Sequence, residues 1–305
     1  MPSKASAFEA DGSWRREWEG KSVCGPVRHA GEERMPRVAG LIAYDGTEFC
    51  GFQVQRDAPT VQGALEGALE ELTGANCRVS GAGRTDTGVH ARGQVISVDA
   101  PWKHSAEALR KAWNQRLPAS ILVRSLTEAP DGFHPRFSAS ERTYRYTAWA
   151  PVREGEGERR FPLVDRFAVV LPKRPDLEAM NGAAGLLIGT HDFATFGQAP
   201  QGENTVRRIV SLFWERVEES LPVLDRYPSE RLVLTITANA FLRRMARNLA
   251  GSLLAVGLGV WQADDLAVAL DAKDRSRSAP PLPPNGLVLE RVQYAEYPDL
   301  FSAHA

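Results

Sequence analysis

The polar segment from Gly83 to His90 has the residue types and spacing best suited to catalysis. It reads Gly-Arg-Thr-Asp-Thr-Gly-Val-His and lies between two predicted strands. Its glycines allow a tight backbone path and the close approach of a ligand. Arg84 stands two residues before Asp86, so it can keep that carboxylate ionised or contact a phosphate. A turn with a surface ion pair remains an open alternative, because short motifs of this kind are common.

The same segment contains the Asp-Thr-Gly triplet of aspartic proteases at residues 86–88. Protease chemistry needs two carboxylates that share a proton, and therefore a second triplet or a symmetric dimer. The sequence has a single such triplet, and the helices predicted around it do not suit an all-β protease. The protease interpretation is disfavoured, and it would require an acid pH optimum and inhibition by a statine-type compound.

Two clusters of basic and aromatic residues follow. Residues 142–146 read Arg-Thr-Tyr-Arg-Tyr, and a strand there would place Tyr144 and Tyr146 on one face. Residues 133–137, Phe-His-Pro-Arg-Phe, form a second cluster in a predicted loop. Aromatic rings can stack on nucleobases while arginines meet phosphates, so both clusters fit RNA. The alternatives are a core position for Tyr146 and a solvated loop with one anchoring phenylalanine.

A further basic cluster opens the helix that apolar spacing predicts from Phe241 to Leu258. Phe241 and Met245 are four residues apart and begin its buried stripe. Arg243 and Arg247 share another face, and like charges at that spacing repel unless an anion or a carboxylate meets them. The pattern is compatible with a solvated face or with a cation that serves a catalytic carboxylate.

The elements that must position these residues begin with the order strand, helix, strand, strand, helix, strand. Thr60 and Ser105 are predicted to cap the two helices, and Gly74 to end the first. This order is the ferredoxin-like arrangement. The predicted elements are strand Val38–Tyr44, helix Thr60–Gly74, a strand near Cys77–Ser80, strand Gln94–Val98, helix Ser105–Leu117 and strand Ile121–Thr127.

The second half repeats the element order without any sequence repeat. Two domains are the expectation for a chain of 305 residues. The proline-rich segment Ala279–Gly286 is predicted to be a stiff connector before the last strand. The predicted elements are strands Arg142–Trp149 and Phe167–Leu171, helix Asp176–Ile188, strands Arg208–Arg216 and Arg231–Ala238, helices Phe241–Leu258 and Ala263–Leu270, and strand Gly286–Tyr294.

Composition excludes several classes of protein. With 43% hydrophobic and 25% charged residues, the chain is not wholly disordered, collagen-like or a coiled coil. The net charge of −1 means that any nucleic-acid role depends on a local patch. Three scattered cysteines and six histidines without metal-ligand spacing predict no metal and suit a reducing cytoplasm. The longest apolar run, near Leu249–Trp261, is too short to span a bilayer, so no membrane partner is expected.

Taken together and in this order, the segments resemble the tRNA pseudouridine synthase A family over about Val38–Tyr294. Residues 83–90 look like the catalytic motif of that family, residues 44–55 like its opening motif, and residues 133–138 like a tRNA-contact segment. Departures are small: Thr87 and Pro135 replace commoner residues, and residues 201–204 fit a second tRNA-contact region poorly. The other matching residues are Tyr144, Asp192, Phe193, Thr195, Phe196, Phe241, Met245, Arg247, Asn248 and Gly251.

The resemblance implies a role for each site residue. It implies Asp86 as the nucleophile, Arg247 as its partner, Tyr144 against the target uracil, and Arg84 as a residue that helps to displace the base. It implies no metal and no cofactor, and a homodimer that binds the anticodon arm of tRNA and isomerises the uridines at positions 38, 39 and 40. The residues expected to contact the tRNA are Phe133, His134, Arg136, Phe137, Tyr144 and Arg243.

The resemblance also implies an α+β fold. Two ferredoxin-like, RRM-like halves would share a mostly antiparallel central sheet, with the catalytic cleft between them. The expected domains are residues 37–140, which carry Asp86, and residues 141–296. Residues 1–36 are expected to form a disordered N-terminal extension and residues 297–305 a tail.

Pseudouridine formation breaks the C1′–N1 bond, rotates the uracil and joins C1′ to C5. A carboxylate can attack covalently or act as a base in a glycal route, and the sequence leaves both routes open. The rival from another class is a non-catalytic tRNA-binding protein or folding chaperone on the same scaffold. The set of Arg84, Asp86, Tyr144 and Arg247 weighs against that rival, because binding an anionic RNA does not need a carboxylate.

Overall fold

The computed structural model describes residues 37–153, 160, 162–199, 202, 204–217 and 229–301. The extension predicted at residues 1–36 lies outside these ranges. So do most of the charged loop at residues 153–160, part of the segment 201–204 and the end of the tail.

The described residues form an α+β fold around one ten-stranded sheet. The strands run in the order β4-β1-β3-β10-β5-β9-β8-β7, with β2 paired to β3 and β6 to β5. Pairing is antiparallel except between β10 and β3 and between β5 and β6, which confirms the predicted mostly antiparallel sheet. The strands are β1 Arg37–Tyr44, β2 Ser80–Gly81, β3 His90–Asp99, β4 Ile121–Glu128, β5 Glu141–Pro151, β6 Val169–Val170, β7 Gly189–Asp192, β8 Val206–Val217, β9 Ser229–Ala238 and β10 Leu287–Gln293.

Five α-helices pack against this sheet within the described ranges. Side-chain oxygens of Thr60 and Ser105 accept hydrogen bonds from the first turns of α1 and α2, and Gly74 ends α1 in the left-handed conformation. These three caps confirm the sequence prediction. The helices are α1 Val61–Thr73, α2 Ala106–Asn114, α3 Leu177–Ala184, α4 Met245–Gly257 and α5 Ala263–Ala272.

The last strand lies in the middle of the sheet. β10 pairs with β3 on one side and with β5 on the other. Its Leu289 is opposite Tyr144 of β5, and the neighbouring Val288 is opposite His90 at the start of β3. The strand therefore brings the end of the Gly83–His90 segment next to the tyrosine motif, although some fifty residues separate them in sequence.

Most of the buried core is one hydrophobic cluster with members from β4 to β8 of the sheet. Trp113 of α2 is fully buried, and its indole N–H donates to the Leu65 carbonyl of α1 at 3.1 Å. Asn181 of α3 exchanges two hydrogen bonds with the backbone of Trp214 in β8. Because these bonds satisfy polar groups inside the core, they fix α2 against α1 and α3 against β8.

Several predicted elements differ from the observed ones. α4 begins at Met245 and not at Phe241. Arg244 adopts a left-handed conformation (φ 65°), so the helix cannot extend from Met245 back toward Phe241. The pairing of Arg243 and Arg247 on one helix face was therefore wrong. β7 was missed, β2 and β6 are two-residue strands, and β3 begins at His90 instead of Gln94. α2 and α3 end three and four residues early, where the chain turns.

Candidate active site

A carboxylate and a guanidinium meet where the loop between β2 and β3 faces α4. This loop, residues 82–89, is called the Asp86 loop. Nη1 of Arg247 lies 3.6 Å from Oδ2 of Asp86. The side chains are 14% and 28% exposed, so the pair is mostly screened from water while the carboxylate stays reachable. This places together the two residues that the resemblance paired.

Arg247 is oriented by the proline-rich connector, residues 279–286. Its Nε donates to the Leu282 carbonyl at 2.7 Å, and the Leu282 N–H donates to the Arg247 carbonyl at 3.2 Å. One turn later, a Cβ on Gly251 would lie 2.2 Å from the Pro280 carbonyl oxygen. A glycine is therefore needed for the connector to lie against α4, and that contact directs Arg247 toward Asp86.

The start of α4 is fixed by a strained residue and a backbone bridge. Arg244 holds its left-handed conformation without a side-chain capping bond. The backbone of Arg243 pairs with that of Gln198 in both directions. A Cβ on Gly197 would lie 2.4 Å from the Leu242 Cβ. Close packing thus maintains a conformation that costs a non-glycine residue of order 1–3 kcal/mol, and it leaves the Arg243 side chain exposed.

The opening motif supports the Asp86 loop from behind. The Phe52 N–H donates to the Thr85 carbonyl at 3.1 Å, and the Tyr44 hydroxyl lies 2.8 Å from the Thr85 hydroxyl. Gly51 has φ 89°, and a Cβ there would lie 2.6 Å from the Thr85 carbonyl oxygen. Burial raises the pKa of Tyr44 to about 12 although its bond to Thr85 opposes this, so Tyr44 remains a neutral partner in the bond.

The far end of the loop is held by His90. Its Nδ1 lies 3.0 Å from the Gly46 amide nitrogen and 3.1 Å from Oδ1 of Asp45, and its ring lies 5.0 Å from that of Phe167. Burial holds the pKa of His90 below its ordinary value, although the Asp45 carboxylate opposes this. Arg166 forms a further ion pair with Asp45. These contacts attach the loop to the segment before β6.

Arg84 is exposed and is oriented by a chain of amides. Its Nε donates to the Gln53 side-chain oxygen at 3.1 Å, and the Gln53 amide donates to the Gln62 oxygen at 2.7 Å. Gln62 is buried in α1 and donates to the Val79 carbonyl at 2.9 Å. Because only Nε is used in this chain, the terminal nitrogens of Arg84 can face an anionic ligand.

Tyr144 lies on β5 beside the ion pair. It is 8% exposed and makes an edge-to-face contact with Phe241 at 4.9 Å between ring centroids. Burial raises the pKa of Tyr144, and the nearby Tyr44 and Asp86 raise it further. The tyrosine is therefore neutral. Tyr146 is fully buried, and its hydroxyl donates to the Pro283 carbonyl at 2.7 Å. It therefore occupies a core position, the alternative that the sequence left open for this residue.

Residues 133–138, the basic-aromatic loop, expose one aromatic ring. Phe137 is 75% exposed, and the Arg136 guanidinium lies 5.5 Å from its ring centroid. The centroid of the His134 ring lies 4.4 Å from that of Phe137, with the rings tilted by 36°, and Nδ1 of His134 accepts hydrogen bonds from the Arg136 and Phe137 amides. Phe133 is 1% exposed and packs on Tyr294. It is the anchor of the loop, so an RNA contact through its side chain is not supported.

Comparison with known proteins identifies the family. The sequence model of the tRNA pseudouridine synthase family matches residues 41–138 and 183–295, which together are more than half of the chain. The chain belongs to the tRNA pseudouridine synthase family. This confirms the family that the sequence predicted, and with it the prediction of an isomerase, since pseudouridine is an isomer of uridine.

Individual relatives in the tRNA pseudouridine synthase family match along nearly their whole length. The tRNA pseudouridine synthase A of Pseudothermotoga lettingae is 36% identical over 261 residues, which cover 85% of this chain and 100% of that relative. That of Rhodopseudomonas palustris strain CGA009 is 43% identical over 265 residues, covering 86% and 99%. A chain of a Cbf5-Nop10-Gar1 complex aligns over 72% of this chain and 54% of its own length, at 8% identity and a TM-score of 0.26. That structural likeness is too low to carry an argument.

The structure shows three features of the site that the sequence did not indicate. The proline-rich segment is predicted only to be a stiff connector, but it also borders the site through Leu282. The sequence marks Arg142 only as part of a basic cluster, whereas it bonds residues that are distant in sequence. Gly51 belongs to the opening motif, and its positive φ explains why a glycine stands there. Within the described ranges, no group of three metal-ligating side chains is present and no helix is long and apolar enough to cross a membrane.

Proposed function

We propose that this chain converts uridine to pseudouridine in tRNA, at positions 38, 39 and 40 of the anticodon arm, with Asp86 as the nucleophile. The observation that carries the proposal is the Asp86–Arg247 pair at 3.6 Å, beside the buried Tyr144. A carboxylate can act as a nucleophile, and the Arg247 guanidinium lies on one side of it and leaves it 28% exposed.

The reaction needs no redox step. The C1′–N1 glycosidic bond breaks, the uracil rotates, C1′ bonds to C5, the C5 hydrogen leaves as a proton, and N1 takes up a proton, so that the product is an isomer of uridine. Asp86 can attack C1′ and form an ester that the rotated base displaces, or it can remove a proton from the sugar in a glycal route. Both routes require an ionised carboxylate that can reach the sugar, and Asp86 is 28% exposed.

The target uridine must leave the RNA stack to reach Asp86. Flipping a base costs a few kcal/mol, and stacking on an aromatic side chain returns about 1–3 kcal/mol. Tyr144 is suited to lie against the flipped uracil, while Arg84 is placed to help displace it. Phe137, backed by Arg136, offers an exposed stacking surface beside a cation, and His134 and the exposed Arg243 would add tRNA contacts.

The finer architecture belongs to the same proposal. The chain order of β1–β4 and their sheet order β4-β1-β3-β2 are those of a ferredoxin-like half. The strands β5, β8, β9 and β10 have the corresponding order β10-β5-β9-β8. We therefore infer two ferredoxin-like, RRM-like halves with the cleft between them. The domain boundary near residue 140, the homodimer, the cytoplasmic location and the absence of metal and cofactor stay predictions.

Tritium release from tRNA labelled at uracil C5 tests the function directly, because forming the C1′–C5 bond must expel that hydrogen. Wild-type protein should release tritium, and Asp86→Ala should release none while still binding tRNA. Asp271→Ala is a suitable control, since Asp271 is an exposed aspartate on α5 and its loss should leave the rate unchanged.

The outcomes separate the two classes of function. Release by wild type and by Asp86→Ala alike would refute Asp86 as the nucleophile. Release by neither protein, with tRNA still bound, would favour the non-catalytic binding protein. The amount released from tRNAs with a uridine at only one of the three positions would show which positions are modified.

A further inference from the structure

The Arg142 guanidinium connects three segments of chain that are far apart in sequence. Nη2 donates to the carbonyls of Ala82 at 3.2 Å and Arg136 at 2.7 Å. Nη1 donates to the carbonyls of Ala139 at 3.1 Å and Asn239 at 2.7 Å. These four bonds use both terminal nitrogens of a rigid planar group, so they fix the positions of the acceptors relative to one another.

Three of the four acceptors belong to, or directly adjoin, a segment that carries a residue of the site, and the fourth, Ala139, immediately follows the basic-aromatic loop. Ala82 begins the Asp86 loop, and Arg136 belongs to the basic-aromatic loop. Asn239 follows the last residue of β9 and lies in the segment that leads into α4 and Arg247. Arg142 itself is two residues before Tyr144 on β5. The guanidinium is thus the common point of the four pieces that the proposed reaction needs together.

The electrostatics also distinguish Arg142 from an ordinary surface arginine. All four acceptors are neutral backbone oxygens. Burial holds the pKa of Arg142 below its ordinary range, while the arginine stays charged. Arg142 is partly buried, and withdrawing a cation from water is costly unless its hydrogen bonds are satisfied. The four bonds to carbonyls meet that requirement, and they also fix the geometry of the segments that carry the acceptors.

We propose that Arg142 is a positioning residue, which sets the placement of the Asp86 loop relative to the basic-aromatic loop and α4 without contacting the substrate. This inference rests on the proposed function. It also corrects the idea that every arginine of the Arg-Thr-Tyr-Arg-Tyr segment is available to a phosphate, because the terminal nitrogens of Arg142 are already bonded to four carbonyls.

The test compares Arg142→Ala and Arg142→Lys with Arg110→Ala. Arg110 lies on α2 with its side chain 25% exposed, in an ion pair with Glu107, and serves as the control. In single-turnover tritium release, Arg142→Ala should lower the rate constant about 100-fold, the loss expected from a misplacement of about 1 Å. Its dissociation constant for tRNA should change by less than about fivefold, because many phosphate contacts share that binding.

Added guanidinium ion at a millimolar, non-denaturing concentration should restore part of the Arg142→Ala rate, and urea should not. Arg142→Lys should be impaired and not rescued, because an ammonium cannot reproduce the planar fork. In hydrogen exchange without RNA, residues 82–89 and 133–138 should exchange faster in Arg142→Ala than in wild type. If Arg142→Ala fails to fold, Arg142→Lys and its exchange pattern decide the question.

Wild-type rates for both Arg142 variants would overturn the inference. So would a loss confined to tRNA affinity with an unchanged chemical step, since that would make Arg142 a phosphate contact. An absence of tritium release from wild-type protein would instead refute the proposed function, and the hydrogen-exchange comparison would still report on the positioning role.

Discussion

Replacing Gly51 with alanine should impair the site by displacing the backbone of the Asp86 loop, although Gly51 itself does not meet the substrate. Gly51 has φ 89°, and the added Cβ would lie 2.6 Å from the Thr85 carbonyl oxygen. Ordinary contact begins near 3.4 Å, so the backbone before Asp86 would have to move by about 0.8 Å. The Asp86 loop would be displaced toward the site.

The magnitude follows from two terms. A left-handed conformation costs a residue with a Cβ about 1–2 kcal/mol. Forcing extra volume into a packed site typically costs about 1–3 kcal/mol, including the weakened bond from Phe52 to Thr85. We expect the free energy of unfolding to fall by about 2–5 kcal/mol, and the rate constant to fall about 100-fold because Asp86 is misplaced by nearly 1 Å.

Gly67→Ala is the matched control. Gly67 is exposed in the middle of α1, and no atom lies within 4 Å of the Cβ that alanine would add. Alanine is a better helix former, so this variant should be about 0.5–1 kcal/mol more stable, with unchanged turnover. Urea unfolding and single-turnover tritium release measure both quantities. A Gly51→Ala protein with wild-type stability and rate would refute the argument that this glycine supports the Asp86 loop.

Two further predictions concern the side chains of Arg247 and His90. Arg247→Lys keeps the positive charge, but a lysine cannot both bond the Leu282 carbonyl and reach Asp86. Single-turnover tritium release should therefore slow about 10- to 100-fold, which corresponds to about 1.4–2.7 kcal/mol of activation free energy. A rate within threefold of wild type would contradict the orienting role. His90 has its pKa lowered by burial, so its contribution to stability is complete above the ordinary value of 6.5 and is lost as the pH falls through the folded-state pKa. Urea unfolding between pH 7 and pH 5 should therefore show a steeper loss of stability in wild type than in His90→Asn, and equal slopes would show that His90 is not buried as described.

Local features of the fold could be predicted because their causes are local. Thr60, Gly74 and Ser105 cap helices through bonds within a few residues, and strand alternation is visible in the sequence. The start of α4 could not be predicted. It depends on backbone contacts between residues 197–198 and 242–243, which lie far apart in sequence.

The candidate site divides in the same way. Its residue types, including the Arg84 and Asp86 spacing, were visible in the sequence, and the resemblance supplied the pairing of Asp86 with Arg247. The sequence also suggested Phe133 as an RNA contact, because composition does not show which aromatic ring of a loop faces inward. Only packing against Tyr294 decided that Phe133 is the anchor and Phe137 the exposed ring.

The sequence by itself determined the α+β class, the order of most elements, the family and the loop that carries the carboxylate. The tertiary structure alone decided that β10 lies between β3 and β5, that the connector reaches Arg247 through Leu282, and that Arg142 joins the loops. All three arrangements depend on hydrogen bonds to backbone carbonyls. Every residue carries the same carbonyl, so no side-chain pattern in the sequence marks which one will be used.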